Sequence, residues 1–173
     1  GRESGDPRTV LICNGTGRTE TFALGQSRIG GAPDLPKGTV WPRHRWLRSE
    51  TSQWPAYARE DLTNAIERGE VLEELHHVAL ALPFVAQLDL AELGQLDPRF
   101  ARAGHLWLFA DQQTTVGEIG DYPYQASACL YAEGGELERV TPPPTPEPLP
   151  GLALTFATAT GDQAEPRHAL WPA

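Results

Sequence analysis

The stretch Ser27-Arg-Ile-Gly-Gly-Ala-Pro-Asp-Leu-Pro-Lys-Gly-Thr-Val-Trp-Pro42 holds three glycines (Gly30, Gly31, Gly38) and three prolines (Pro33, Pro36, Pro42). Proline removes a backbone donor, and glycine favours turns over regular elements. The stretch therefore reads as neither helix nor central strand. Yet it ends on Val-Trp-Pro, a group fit for a core. It is either a binding loop or scaffolding for a neighbouring sheet, and the choice depends on what lies beside it.

Outward from this loop, the chain alternates strand-like runs with turn signals. "TVLICN" (9–14) reads as a strand closed by the turn "NGTG", with "TETFALG" (19–25) as its hairpin partner. Ala58, Leu62, Ala65 and Ile66 recur at helical spacing, so 54–70 reads as an amphipathic helix stopped by Gly69. "EVLEELHH" (70–77) suggests a further helical turn. Pro83 separates two strands, Val78 to Leu82 and Phe84 to Leu90. A short helix capped by Asp89 follows. "GHLWLFAD", "YQASACLYA", "GELERV" and "LALTFATA" read as later strands. The proline run before the last of these reads as an extended crossing over the surface that returns to the sheet. Seven or eight strands against two or three helices, without regular alternation, define an α+β fold in one domain.

Composition narrows the functions. The chain has 173 residues and a formal net charge of −9. The acidic balance disfavours nucleic acid. The one basic run, "RHRWLR" (43–48), reads as a solvated loop. No apolar run reaches the ~20 residues of a membrane helix. The sequence contains no methionine, so Gly1–Pro7 reads as a processed terminus, a tag remnant or an internal start. The expected setting is cytoplasmic.

Catalytic patterns are missing from the sequence: no phosphate-binding glycine loop, no nucleophile elbow and no zinc-binding H-E-x-x-H. The five histidines lack ligand spacing, and no metal or cofactor is expected. Cys13 and Cys129 lie in apolar runs and read as buried, inert thiols. Asp34, Asp89 and Asp111 sit beside apolar strands and are read as caps and turn residues before cleft acids. Gln87 stands in the nearly apolar run "PFVAQLDL". By period two it shares a face with Val85, and its amide needs buried partners. The unpaired backbone of the Gly30–Pro42 loop is the expected partner.

Three motifs then fall into order: "SRIGGAPDLPKGTVWP", "PFVAQLDLAEL" and "GHLWLFAD". Together they resemble the YwqG-like family of bacterial proteins, over about residues 27–157. Gly30, Gly31, Pro33, Leu35, Pro36, Trp41, Pro42, Gln87, Asp89, Leu90, Gly104, Leu106, Leu108 and Phe109 carry the match. The resemblance implies one α+β domain over 1–173 and brings no established activity or catalytic residues. Relative to the family, 43–82 reads as a helical insertion, expected to be peripheral. The leading expectation is a non-catalytic module that binds another protein, perhaps a basic one, through the Gly/Pro loop and the insertion, with Trp46 and Trp54 as anchors. By analogy with the family, this would be an antitoxin-like, immunity-type or accessory role. The rival is an enzyme or small-ligand protein with a cleft lined by Arg28, Asp34, Trp41, Gln87 and Asp89.

Overall fold

The structure is a computed structural model and describes residues 10–18, 21–48, 51, 56–69, 76–100, 103–110, 126–143 and 149–159. In chain order the elements are β1 (Val10–Arg18), β2 (Arg28–Ile29), β3 (Asp34–Pro36), β4 (Arg43–Leu47), α1 (Ala56–Glu67), β5 (His77–Ala81), β6 (Phe84–Asp89), α2 (Leu90–Leu96), a 3-10 turn (Pro98–Phe100), β7 (His105–Ala110), β8 (Ser127–Ala132), β9 (Leu137–Arg139) and β10 (Leu152–Ala159). Six strands form an antiparallel sheet in the order β1-β10-β2-β6-β7-β8. Two antiparallel pairs, β3-β9 and β4-β5, complete an α+β domain.

One row of side chains crosses the main sheet. Register pairs Ala153 with Arg28, Arg28 with Gln87, Gln87 with Trp107 and Trp107 with Leu130. A bulge between Phe84 and Ala86 shifts the next pairing, so Phe84 faces Phe109. Phe84 and Gln87 therefore share the core face although they are three positions apart. The expected Val85–Gln87 pairing on one face fails for this reason, because a bulge breaks the two-residue period.

Against this face pack the small sheets and α1. The core cluster joins Leu35, Trp46, Ala58, Leu62, Val78, Leu80, Leu82, Phe84, Trp107 and Phe109. Trp41 is half-buried and meets Phe109 edge-on at 5.2 Å, while its Nε1 donates to Leu82 O at 2.8 Å. The helix stripe read at 58, 62, 65 and 66 is the buried face of α1. Gly69, with φ +71, ends it through an N–H donated to Ile66 O.

Several expectations need correction. Arg28–Ile29 is a two-residue strand in the middle of the main sheet, inside the stretch read as no central strand. Gly30 and Gly31 end it at once with φ of +64 and +70. β1 runs on through "NGTG", with only a register irregularity between Gly15 and Arg18, and pairs with β10. The final strand took the place expected of "TETFALG". "RHRWLR" is no solvated loop: its first five residues form β4. Segment 43–82 is not peripheral, because its Trp46, Leu62, Val78 and Leu80 are core residues. Cys129 is exposed on β8, whereas burial was expected. The side chain of Cys13, the further helical turn at 70–75 and Asp111 lie outside the described residues.

Candidate functional site

The polar centre of the molecule lies on the sheet row just described. Arg28, Asp34 and Gln87 are each 0% exposed. Three pieces of chain place them: the short central strand β2, the start of β3, and β6. Burying such groups is costly unless every polar atom finds a partner.

Asp34 meets that condition with five donor contacts. Its Oδ2 accepts from Gly25 N (2.8 Å), Arg28 Nη1 (2.9 Å), Arg139 Nη2 (3.2 Å) and Gln87 Nε2 (3.3 Å). Its Oδ1 accepts from Arg139 Nε at 2.8 Å. Burial alone would raise the carboxyl pKa. The hydrogen bonds from Arg139, Arg28 and Gly25, with the Arg28 charge, overcome it and hold the group well below the usual carboxylate range. The same bond raises Arg139 above its ordinary value.

Gln87 uses both ends of its amide. Its Oε1 accepts from Asp34 N (2.7 Å) and Trp107 Nε1 (3.2 Å). Its Nε2 donates to Gln26 O (3.1 Å) and Asp34 Oδ2. The expected bond between Gln87 and the backbone of the Gly/Pro loop is thus present at Asp34. Trp107 Nε1 also donates to Asp34 O at 2.8 Å.

The cluster also fixes a loop that has no strand partner, Phe22 to Gln26. Arg139 Nη2 donates to Phe22 O at 3.0 Å, and His105 Nε2 lies 3.1 Å from Gly25 O. Arg28 Nη2 donates to Ala32 O, and its guanidinium lies 5.0 Å from the centre of the Phe22 ring. One carboxylate and two guanidiniums leave the cluster at +1, in a chain of net charge −9.

Asp89 stands apart from this centre. It is the N-cap of α2, accepting from Ala91 N at 2.9 Å, and its own N–H donates to Ser27 Oγ at 2.8 Å. Trp41 belongs to the core edge. Trp46 is 2% exposed and stacks edge-on with His44 at 4.6 Å, so it is buried and not an exposed anchor. Trp54 lies outside the described residues. Of the residues read as lining a cleft, Arg28, Asp34 and Gln87 lie side by side, but in a buried cluster that also takes in Arg139, Trp107 and Gly25, which the sequence reading did not include. Trp107 carried a signal, since an indole N–H inside an apolar strand needs an acceptor. Arg139 carried none, because only the β3-β9 register places it opposite Asp34.

The chemistry of this arrangement is that of a latch. It is an ionised, inaccessible carboxylate that ties the β3-β9 pair to the main sheet and to the Phe22–Gln26 loop, in an α+β domain built on one antiparallel sheet. Residues 27–166 match the family described as "Domain of unknown function (DUF1963)", and the chain belongs to that family. The matched range runs through segment 43–82 and reaches beyond the last core strand. Neither a curated protein nor a solved structure matches the chain. No described helix is long and apolar enough to cross a membrane.

Proposed function

We propose that this domain is a non-catalytic binding module for another protein, and that within its family it belongs to the YwqG-like group whose motifs it carries at 27–42, 83–90 and 104–109. The supporting observation is the fate of the polar residues on which a cleft would depend. Arg28, Asp34 and Gln87 are fully buried and hydrogen-bonded to one another and to backbone. A general base needs access to its substrate and a proton affinity near the working pH. Asp34 has neither. The enzyme or small-ligand reading loses three of its five residues to scaffolding.

The same segment presents a different kind of surface to solvent. Val40 is 83% exposed, and Arg43 and Arg45 follow on the exposed face of β4. Arginine beside an apolar residue suits a protein contact. Binding reads the local field, so this strip takes an acidic contact, while the acidic remainder suits a basic partner. The biological role is read as antitoxin-type, immunity-type or accessory, in a cytoplasmic bacterial complex.

Affinity capture with the full chain tests the reading. A partner should be retained by the wild type and by a Glu138→Lys control, and lost from Val40→Asp/Arg43→Glu/Arg45→Glu. Circular dichroism should show the triple variant folded. A saturable thermal shift with a small metabolite, without any captured protein, would favour the rival.

A further inference from the structure

Connecting loops run over the surface and are ordinarily mobile. The Phe22–Gln26 loop is instead tied at nearly every step. Gln26 N donates to Ala23 O at 3.2 Å, and Gly25 has φ +81, so Ala23 to Gln26 follow the pattern of a type II turn with Leu24 at its corner. Ala23 N donates to Gln26 Oε1 at 3.0 Å. Gly25 N donates to the buried Asp34 carboxylate, Gly25 O lies against His105 Nε2, and Gln26 O accepts from Gln87 Nε2. Both main-chain groups of Ala23, Gly25 and Gln26 therefore have partners inside the protein.

These ties hold one apolar side chain out to solvent. Leu24 is 60% exposed. A lone exposed apolar residue is ordinary on a protein surface. One on a braced turn differs in kind, because little conformational freedom remains to be lost when it enters a socket. A charge stands beside it. Arg139 Nη2 donates to Phe22 O and, at 3.4 Å, to Ala23 O, which puts the guanidinium at the root of the turn. The Arg139 side chain is 39% exposed, and among the described residues its Nη1 has no bond.

We propose that the Ala23–Gln26 turn is a docking knob: Leu24 enters an apolar socket on a partner protein whose rim carries a carboxylate for Arg139. A protruding side chain selects a concave partner, and the guanidinium selects the sign of the rim. The buried cluster then has a purpose beyond the core, since it fixes the shape of the turn that the partner meets. The proposal rests on the protein-binding reading above. Its test involves none of Val40, Arg43 and Arg45, so the two can fail separately.

Two sockets of known chemistry serve as probes on the full chain: carboxymethyl-β-cyclodextrin, an apolar cavity with carboxylates on its rim, and its uncharged hydroxypropyl counterpart. Amide relaxation of the free protein should give order parameters near the rigid value, about 0.85, from Ala23 to Gln26. On titration the amide resonances of Ala23 and Gly25 should shift saturably with both sockets. The carboxymethyl socket should bind about two- to fivefold more tightly, the range of an exposed ion pair. Salt at about 1 M should erase that preference. Leu24→Ser, a change at an exposed position, should abolish the response to both sockets. Order parameters below about 0.6 in the wild type, equal affinity for the two sockets at low salt, a preference that survives high salt, or an undiminished response in Leu24→Ser would overturn the proposal.

Discussion

The backbone N–H of Asp34 donates to Gln87 Oε1 at 2.7 Å, across 53 positions of sequence. Through this bond the Gly/Pro loop is tied to the central strand β6. The loop is scaffolding, and its unpaired backbone is what the buried amide satisfies. Gln87→Leu strands the Asp34 N–H in the buried interior and takes one donor from the half-buried Gln26 carbonyl, which keeps Arg28 Nη1 at 3.4 Å. The expected loss is ~1–3 kcal/mol for each group left unmet. Urea unfolding of the variant measures it, and a change within ordinary surface scatter would show that water replaces the amide.

Asp34 predicts an acid dependence. Its folded pKa is depressed, so its contribution to stability is present above the unfolded value, about 3.9, and is lost as pH falls toward the folded one. Asp34→Asn removes this contribution and leaves Arg28 buried without its counter-charge, at a cost of about 3–5 kcal/mol. The gap between wild type and variant should be constant near neutrality and shrink below about pH 4. Unfolding midpoints over an acid series check it; a gap that does not narrow in acid would place the stabilisation elsewhere.

Segment 43–82 should not be removable. Leu62 and Trp46 are 5% and 2% exposed and share one cluster with Trp107 and Phe109 of β7. Leu62→Ala should cost about 2–5 kcal/mol and Trp46→Ala about 3–5, through lost burial and the cavity left behind. Calorimetry reads both. A shortened chain lacking the segment that unfolds as cooperatively as the full protein would contradict this.

Local rules explain what was legible. The stripe of α1, the Asp89 cap and the strand starts at Phe84, His105 and Leu152 are written in spacing and in turn residues. Gln87 was legible because a lone amide in an apolar run must be answered. Pairing between distant strands was not. The hairpin expected of β1 gave way to β10, more than a hundred residues away, because sheet order is decided by which apolar faces can be covered together. For the same reason "RHRWLR" misled: its alternation of cations with His44 and Trp46 is that of a half-buried strand, with the guanidiniums outside and the rings inside. The four charges-or-histidine at Arg43, His44, Arg45 and Arg48 masked that period.

Glycines of the opening stretch should differ sharply when replaced. Gly30 and Gly38 both have positive φ, +64 and +79, which costs any L side chain of order 1 kcal/mol. Their surroundings are not alike. A Cβ on Gly30 would lie 2.5 Å from the carbonyl oxygens of Leu149 and Pro150, while one on Gly38 meets nothing within 4 Å. The obstruction at Gly30 is backbone, and Gly31 N donates to the same Leu149 carbonyl at 2.9 Å, so the neighbouring chain has little room to retreat. Gly30→Ala should therefore add to the φ cost a displacement of the strand pairing between β2 and β10, with Gly38→Ala limited to about 1 kcal/mol. Hydrogen exchange gives the decisive reading. Gly30→Ala should speed exchange at Leu154, whose N–H donates to Ser27 O at 3.1 Å, and Gly38→Ala should leave that amide unchanged. Equal destabilisation by the two substitutions would mean that φ alone sets the penalty and that the close approach of 149–150 to Gly30 carries no constraint.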